Sequence, residues 1–293
     1  MPPHPDSAAV KFTTTIHHDT YPAIAKCNLQ GRTVLITGAS KGIGRHAAIA
    51  MARNGASNII IAARSNLDGV ERDVLNAAPE SSSRTDSLRV MQIQLDATSA
   101  ESVATAVTKV QASFSAVDVL INSAGSLEIW KPVLESDPEE WWNTYEVNLR
   151  GTYLLCRAFL PLLLASSLKT IVNVTSIGAL MVSPGASAYQ TSKVAVTRFT
   201  EFLSAEYSEQ GLVAFSIHPG AVKTELALNM PQHMHEVLID APQLPADTVC
   251  WLVQERRPWL GGRYISVNWD MMELLSKKEE IVEKDTLKFQ LGQ

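Results

Sequence analysis

From residue 32 onward, seven short β-branched, apolar runs alternate with longer segments of helical period, and this alternation restricts the chain to very few folds. The runs are Thr33–Thr37, Asn58–Ala62, Val90–Leu95, Val117–Ile121, Thr170–Val174, Val213–Ile217 and Tyr264–Val267. Several are almost continuously apolar, as strands covered on both faces must be. Helical spacing falls between them, for example over Ile43–Asn54, Ser99–Phe114 and Tyr189–Gln210. Strands that alternate with helices predict a parallel sheet with helices on both faces, joined by right-handed crossovers. Seven strands in one sheet predict a single doubly wound α/β domain, over residues 31–270. Residues 1–30, rich in proline and without a clear period, are expected to form an arm lying over it. In residues 271–293, Met271, Leu274, Leu275, Ile281 and Val282 share one helical face, which predicts a packed C-terminal helical extension.

The segment Thr37-Gly38-Ala39-Ser40-Lys41-Gly42-Ile43-Gly44 follows the first strand and opens a helix. A helix N-terminus presents unpaired N–H groups and the positive end of a dipole, so it attracts phosphate. Glycines there give the tight turn and the close backbone approach that a pyrophosphate requires. The position, at the first strand–helix junction, predicts a Rossmann-type dinucleotide site. Where an NAD site carries Asp or Glu after the second strand, this chain has Ala62-Ala63-Arg64-Ser65. Arg64 offers a guanidinium fork for a 2′-phosphate and Lys41 a second cation, which favours NADPH over NADH.

Tyr189 and Lys193 stand four residues apart on one face of a predicted helix. A free phenol titrates near pH 10 and is a poor base at neutrality. A neighbouring ammonium is expected to lower that pKa toward the working range. Ser176 ends the fifth run, where ligands of parallel sheets bind, and is placed to hydrogen-bond a substrate carbonyl.

With these residues in place, the stretch from about Gly31 to Asp270 resembles the short-chain dehydrogenase/reductase family. Thr37–Gly44 is similar to its cofactor loop. Asp96 matches the residue that holds the adenine. Asn122-Ser123-Ala124-Gly125 matches an Asn-Asn-Ala-Gly element, with Ser123 departing from it. Ser176, Tyr189, Lys193 and Asn148 match the catalytic tetrad. His218-Pro219-Gly220, followed by Val222 and Thr224, matches the segment at the nicotinamide and phosphates, with His218 where Asn is common. Neither departure touches the tetrad. The resemblance implies that Tyr189 exchanges a proton with a carbonyl oxygen and that Ser176 orients that carbonyl. It implies that Lys193 lowers the Tyr189 pKa and binds the ribose, and that Asn148 holds a water leading from Lys193 to solvent. No metal is required. Family members usually form homodimers or homotetramers through the helices before Ser176 and after Tyr189. Val194, Ala195, Phe199, Phe202 and Leu203 give the second of these helices more apolar width than one sheet face needs.

In such a family the segment after Thr224 covers the substrate. Leu228, Met230, Pro231 and Met234 make it apolar and adaptable, with His233 and His235 nearby. This predicts an NADP(H)-dependent oxidoreductase interconverting a ketone and a secondary alcohol on a small to medium, hydrophobic substrate, of the kind found in secondary metabolism. A non-redox step on the same fold, such as dehydration or cyclisation, and a non-catalytic cofactor-binding scaffold remain alternatives. Trp141 and Trp142 fall in the helix leading to Asn148, as core or subunit contacts. His17-His18 lacks a third ligand at metal-binding spacing.

Composition narrows the classes further. Lys plus Arg is 25 and Asp plus Glu is 30, a net charge of −5, without the basic stripe that nucleic acid demands. The most apolar stretch, Phe159–Ala165, is interrupted by Pro161 and falls short of the roughly 20 residues of a membrane span. The start carries no apolar leader core, and Leu291-Gly292-Gln293 is no organelle address. Three dispersed cysteines, Cys27, Cys156 and Cys250, suit a reducing compartment. A cytoplasmic protein is expected.

Overall fold

The structure, a computed structural model, describes residues 11–79 and 88–289. Residues 1–10 of the expected arm and 290–293 of the expected tail lie outside them. The strands and helices alternate as β1 (Thr33–Thr37), α1 (Gly42–Arg53), β2 (Asn58–Ala63), α2 (Asp68–Ala77), β3 (Arg89–Gln94), α3 (Ala100–Gln111) and β4 (Val119–Asn122). Then come α4 (Pro138–Tyr145), a π-helical turn (Glu146–Arg150), α5 (Gly151–Leu164), β5 (Thr170–Val174), α6 (Ser187–Tyr207), β6 (Val213–His218), α7 (Gln243–Val253) and β7 (Tyr264–Ser266). All seven strands pair in parallel, in the order β3-β2-β1-β4-β5-β6-β7. The order reverses between β1 and β4, and ligands of doubly wound sheets bind at that switch point, outside the strands' carboxyl ends.

Side chains alternate between the two faces of each strand. Val34 and Ile36 of β1, with Ile59 and Ile61 of β2, pack under α1 and α7. Leu35 and Ile60 point the other way, under α3 and α5. Strands buried on both faces explain why the runs were legible as apolar stretches. Helix starts follow local chemistry. Ser99 caps α3 by accepting the Ser102 N–H at 3.2 Å. Asp137 caps α4, with Pro138 at its first position, where no N–H is needed.

Two expectations are corrected. Pro161 does not interrupt its helix but sits inside α5. The tail is two short helices, α8 (Met271–Ser276) and α9 (Lys278–Glu283), not one. The break falls at Lys277, whose Nζ donates to the Phe12 carbonyl at 2.7 Å. Met271, Leu274 and Ile281 are buried by the pair, while Val282 turns outward.

The segment ahead of β1 runs back across the domain. Ile16 bridges Trp269 in antiparallel fashion, and the His17 N–H donates to the Asn268 carbonyl at 2.7 Å. The Thr14 and Thr15 N–H groups donate to the Glu273 carboxylate at 2.6 and 3.0 Å. On the opposite side of the molecule, Tyr153, Val194 and Phe202 on α5 and α6 are exposed to solvent.

Candidate active site

A cavity of about 860 Å³ opens along the carboxyl ends of the strands. Its floor includes the last residues of five strands, Thr37 of β1, Ala63 of β2, Val174 of β5, His218 of β6 and Ser266 of β7.

The glycine loop forms one end. Gly38 has φ +64°, and a Cβ there would lie 2.7 Å from both the N and Cα of Ala124. On Gly44 it would lie 2.5 Å from the Gly38 carbonyl oxygen. Contacts that short leave room for hydrogen only, so the turn, the start of α1 and the loop after β4 share one close-packed cradle. Lys41 caps α1 without any side-chain hydrogen bond, so the first N–H groups of the helix face the cavity unpaired by a cap. A backbone cradle ending in an uncapped helix start fits a dinucleotide pyrophosphate.

Thr37, Gly38, Ser40, Lys41, Gly42 and Ile43 line the cavity, as do Arg64, Asp96, Ala124 and Gly125. So do Ser176, Tyr189, Lys193, Pro219, Gly220, Val222 and Thr224. Three expected site residues stand behind the wall. Gly44 is used up in packing. Asn122 is buried, its Nδ2 donating to Asn173 Oδ1 at 2.9 Å and to Cys156 Sγ at 3.2 Å, so it ties β4 to β5 and α5. Asn148 lies in the π-helical turn. Its Oδ1 accepts the Ser126 N–H at 2.8 Å, and its Nδ2 donates to the Ser126 carbonyl and Ser192 Oγ, each at 2.9 Å. A side chain so fully bonded fixes the loop after β4 against α6. A Cβ on Gly125 would touch both Asn148 Oδ1, at 3.4 Å, and Lys193 Nζ, at 3.8 Å, which puts those two groups beside the same bare backbone.

Lys41 is turned toward Glu225, with 2.6 Å between Nζ and Oε1, both side chains being mostly exposed. Arg64 is exposed just beyond β2. Asp96 accepts from the Thr98 hydroxyl and N–H at 2.7 and 2.9 Å. These bonds, with Arg64 nearby, hold its carboxyl below the usual range.

Tyr189 and Ser176 both line the cavity, and Ser176 Oγ accepts the Gly178 N–H at 3.0 Å. Lys193 Nζ lies 5.5 Å from the centre of the Tyr189 ring and donates to the Val174 carbonyl at 2.9 Å. Lys193 is only 4% exposed, and desolvation lowers its pKa to about 8. The Tyr189 shift is opposite to the expected one. Desolvation raises it above the ordinary value, the Ser176 bond opposes the rise, and the Glu128 carboxylate adds to it. Burial therefore sets the direction, and the phenol holds its proton.

Glu128, behind the cavity wall, had no signal in the sequence: it is buried and accepts the Tyr189 N–H at 3.0 Å, fixing the start of α6. His218 is buried, and its Nδ1 accepts the Ile177 N–H at 3.1 Å, a role only the neutral ring fills. Desolvation lowers its pKa to about 4, against the pull of Asp240. Trp130, Met181 and Ile239 line the wall with the expected Met230 and Met234. Leu228, Pro231, His233 and His235 do not, and His235 is bonded to the Met230 carbonyl at 2.9 Å. Trp141 and Trp142 stack with Tyr145 on α4, outside the cavity.

A parallel doubly wound sheet, a glycine cradle at the switch point and a Ser–Tyr–Lys cluster facing it define a dinucleotide-binding α/β enzyme. The short chain dehydrogenase family pattern matches residues 32–235. The short chain dehydrogenase mpl6 of Monascus purpureus is 51% identical over 289 residues, covering 98% of each chain. The short chain dehydrogenase pigC of Monascus ruber is 45% identical, covering 94% of this chain and 92% of that one. Among solved structures, a 3-ketoacyl-(acyl-carrier-protein) reductase from Brucella melitensis complexed with NADH superposes with a TM-score of 0.72. It is 25% identical and covers 82% of this chain and 98% of its own. The chain belongs to the short-chain dehydrogenase family, a family of oxidoreductases that bind nicotinamide cofactors and act on small molecules.

Proposed function

We propose that the protein is an NADP(H)-dependent oxidoreductase that interconverts a ketone and a secondary alcohol on a hydrophobic small molecule. The observation that carries the reading is that Ser176, Tyr189 and Lys193 line one cavity, which continues into the glycine cradle. A bound NADP(H) supplies or accepts the hydride at the carbonyl carbon. Tyr189 delivers the proton to the carbonyl oxygen in reduction and removes it in oxidation. Ser176 donates its hydroxyl proton in a hydrogen bond to that oxygen and stabilises the negative charge that develops there. The raised Tyr189 pKa suits the reductive direction, because the phenol stays protonated at neutral pH. Lys193, leaving the Val174 carbonyl, bonds the nicotinamide ribose and steadies the phenolate formed when Tyr189 gives up its proton. Asn148 ties the loop after β4 to α6, the helix that carries Tyr189 and Lys193.

Preference for NADP(H) is supported by Arg64 beyond β2, where no carboxylate stands to repel a 2′-phosphate. Lys41 adds a cation by releasing Glu225, an exposed pair worth only about 0–1 kcal/mol. Substrate hydrophobicity is supported by the Met181, Met230, Met234 and Ile239 wall. A homodimer or homotetramer is supported by the exposed Tyr153, Val194 and Phe202 side chains on α5 and α6. Among the described residues no helix is long and apolar enough to cross a membrane. The free, mostly buried cysteines accord with the reducing cytoplasm.

Replacing Tyr189 tests the assignment. Tyr189→Phe removes the transferable proton and keeps the ring. Turnover of NADPH with a reducible ketone is expected to fall by about 10²- to 10⁴-fold, with the NADPH dissociation constant nearly unchanged. Equal turnover in the two proteins contradicts the role.

A further inference from the structure

The segment before β1 lies outside the matched family region of residues 32–235, yet Ile16 and His18 line the cavity. His18 is the better placed of the two. Its Nδ1 sits 2.6 Å from Oδ1 of Asp240, a carboxylate only 7% exposed. The other oxygen of Asp240 accepts the Ala221 N–H at 2.5 Å and Asn268 Nδ2 at 2.9 Å. The backbone repeats the link. The Asp240 N–H donates to the Ala221 carbonyl at 3.1 Å, and the Ala241 N–H to the His18 carbonyl at 2.8 Å.

Asp240 also fills the space beside Gly220. A Cβ at Gly220, where φ is +78°, would lie 2.6 Å from Asp240 Oδ2. The turn 219–222 therefore rests directly on this carboxylate. The carboxylate in turn is held by three donors, one of them from a residue 222 positions away. Two donors come from the domain itself, Ala221 and Asn268. The third comes only from the arm.

We propose that His18 is a positioning residue for the nicotinamide-binding turn 219–222, acting through Asp240, so that the arm completes the cofactor site. This rests on the nicotinamide reading above and adds to it a part of the chain beyond the family core. A carboxylate that loses one of its three donors holds the turn less rigidly, since charge-assisted bonds are the stronger ones. The turn would then spend part of its time away from the cofactor, and binding weakens in proportion.

The test is a fluorescence titration of the full-length protein with NADPH, with a melting curve for each variant. His18→Ala is expected to raise the NADPH dissociation constant about fivefold. His18→Asn, which keeps a donor at the position of Nδ1, should restore it to within about twofold. His17→Ala serves as the control. His17 bonds Asp270 at 2.9 Å and stacks on Tyr21, docking the arm without touching Asp240. It should lower the melting temperature and leave NADPH binding alone. With any ketone the enzyme reduces, KM for NADPH should rise in His18→Ala while KM for the ketone holds. Should the alanine variant fail to fold, His18→Leu against His18→Asn gives the same comparison. NADPH binding by His18→Ala equal to wild type overturns the proposal, as does equal weakening by His17→Ala. Wild-type protein that binds neither NADPH nor NADH overturns the nicotinamide reading itself, and this inference falls with it.

Discussion

The two ends of the cavity are made by different means. The cofactor end is a matter of backbone. Gly38 and Gly44 are packed so that any side chain would collide with main-chain atoms within 3 Å, and α1 begins there uncapped. The other end is a matter of side chains, with methionines from the segment after β6, Trp130 and Met181 from other loops, and Ile16 from the arm. Main chain packed on main chain admits almost no variation, whereas flexible side chains on loops repack around many shapes. The difference separates a part of the cavity that tolerates one backbone arrangement from a part whose lining can change shape.

The contrast predicts unequal tolerance. Gly38→Ala should do the most damage. It forces a left-handed backbone on alanine and drives its Cβ against Ala124, at a combined cost of roughly 4 kcal/mol. Titration with NADPH and a thermal melt should both register it, as about a thousandfold weaker binding or an equivalent loss of stability. An alanine variant that binds NADPH normally would break the comparison, since the cradle would then be as adaptable as the lid.

His218 stands on the boundary and gives a smaller, pH-dependent effect. Its ring is neutral in the fold, with a pKa near 4, while an unfolded histidine titrates near 6.5. As pH falls below about 6.5, the unfolded chain takes up a proton that the folded chain refuses until about pH 4. Stability is therefore complete above that window and declines through it, by about 3 kcal/mol at most. His218→Asn can still accept the Ile177 N–H through its side-chain oxygen and does not titrate. Melting temperatures followed from pH 7 down to pH 4 should drop less steeply in the variant. Parallel curves would mean that the buried ring is not what makes this part of the fold acid-sensitive.

The same division decides what the sequence discloses. Strands covered on both faces must be apolar throughout, so β1, β2, β5 and β6 were visible within a residue or so of their ends. The glycines and the Tyr189–Lys193 spacing were visible because local geometry dictates them. The arm's part in the cavity was not, because nothing near His18 in the chain announces Asp240. The break at Lys277 was hidden in the same way, since its side chain's partner is the distant Phe12 carbonyl. Asn122 and Asn148 were read as site residues by position. They serve the site from behind, through hydrogen bonds that a pattern of residue types cannot reveal. The direction of the Tyr189 shift also escaped, because a linear sequence shows neither the desolvation of the phenol nor the Glu128 carboxylate brought near it.

The account turns on reduction of a carbonyl by NADPH at Tyr189, and stoichiometry examines that most directly. The protein would be mixed with NADPH and a series of apolar ketones, the loss of reduced nicotinamide followed, and the alcohol quantified, with NADH run in parallel. The prediction is one alcohol formed per NADPH consumed, with NADPH the better reductant. Tight NADPH binding with no alcohol from any ketone of the series would contradict it.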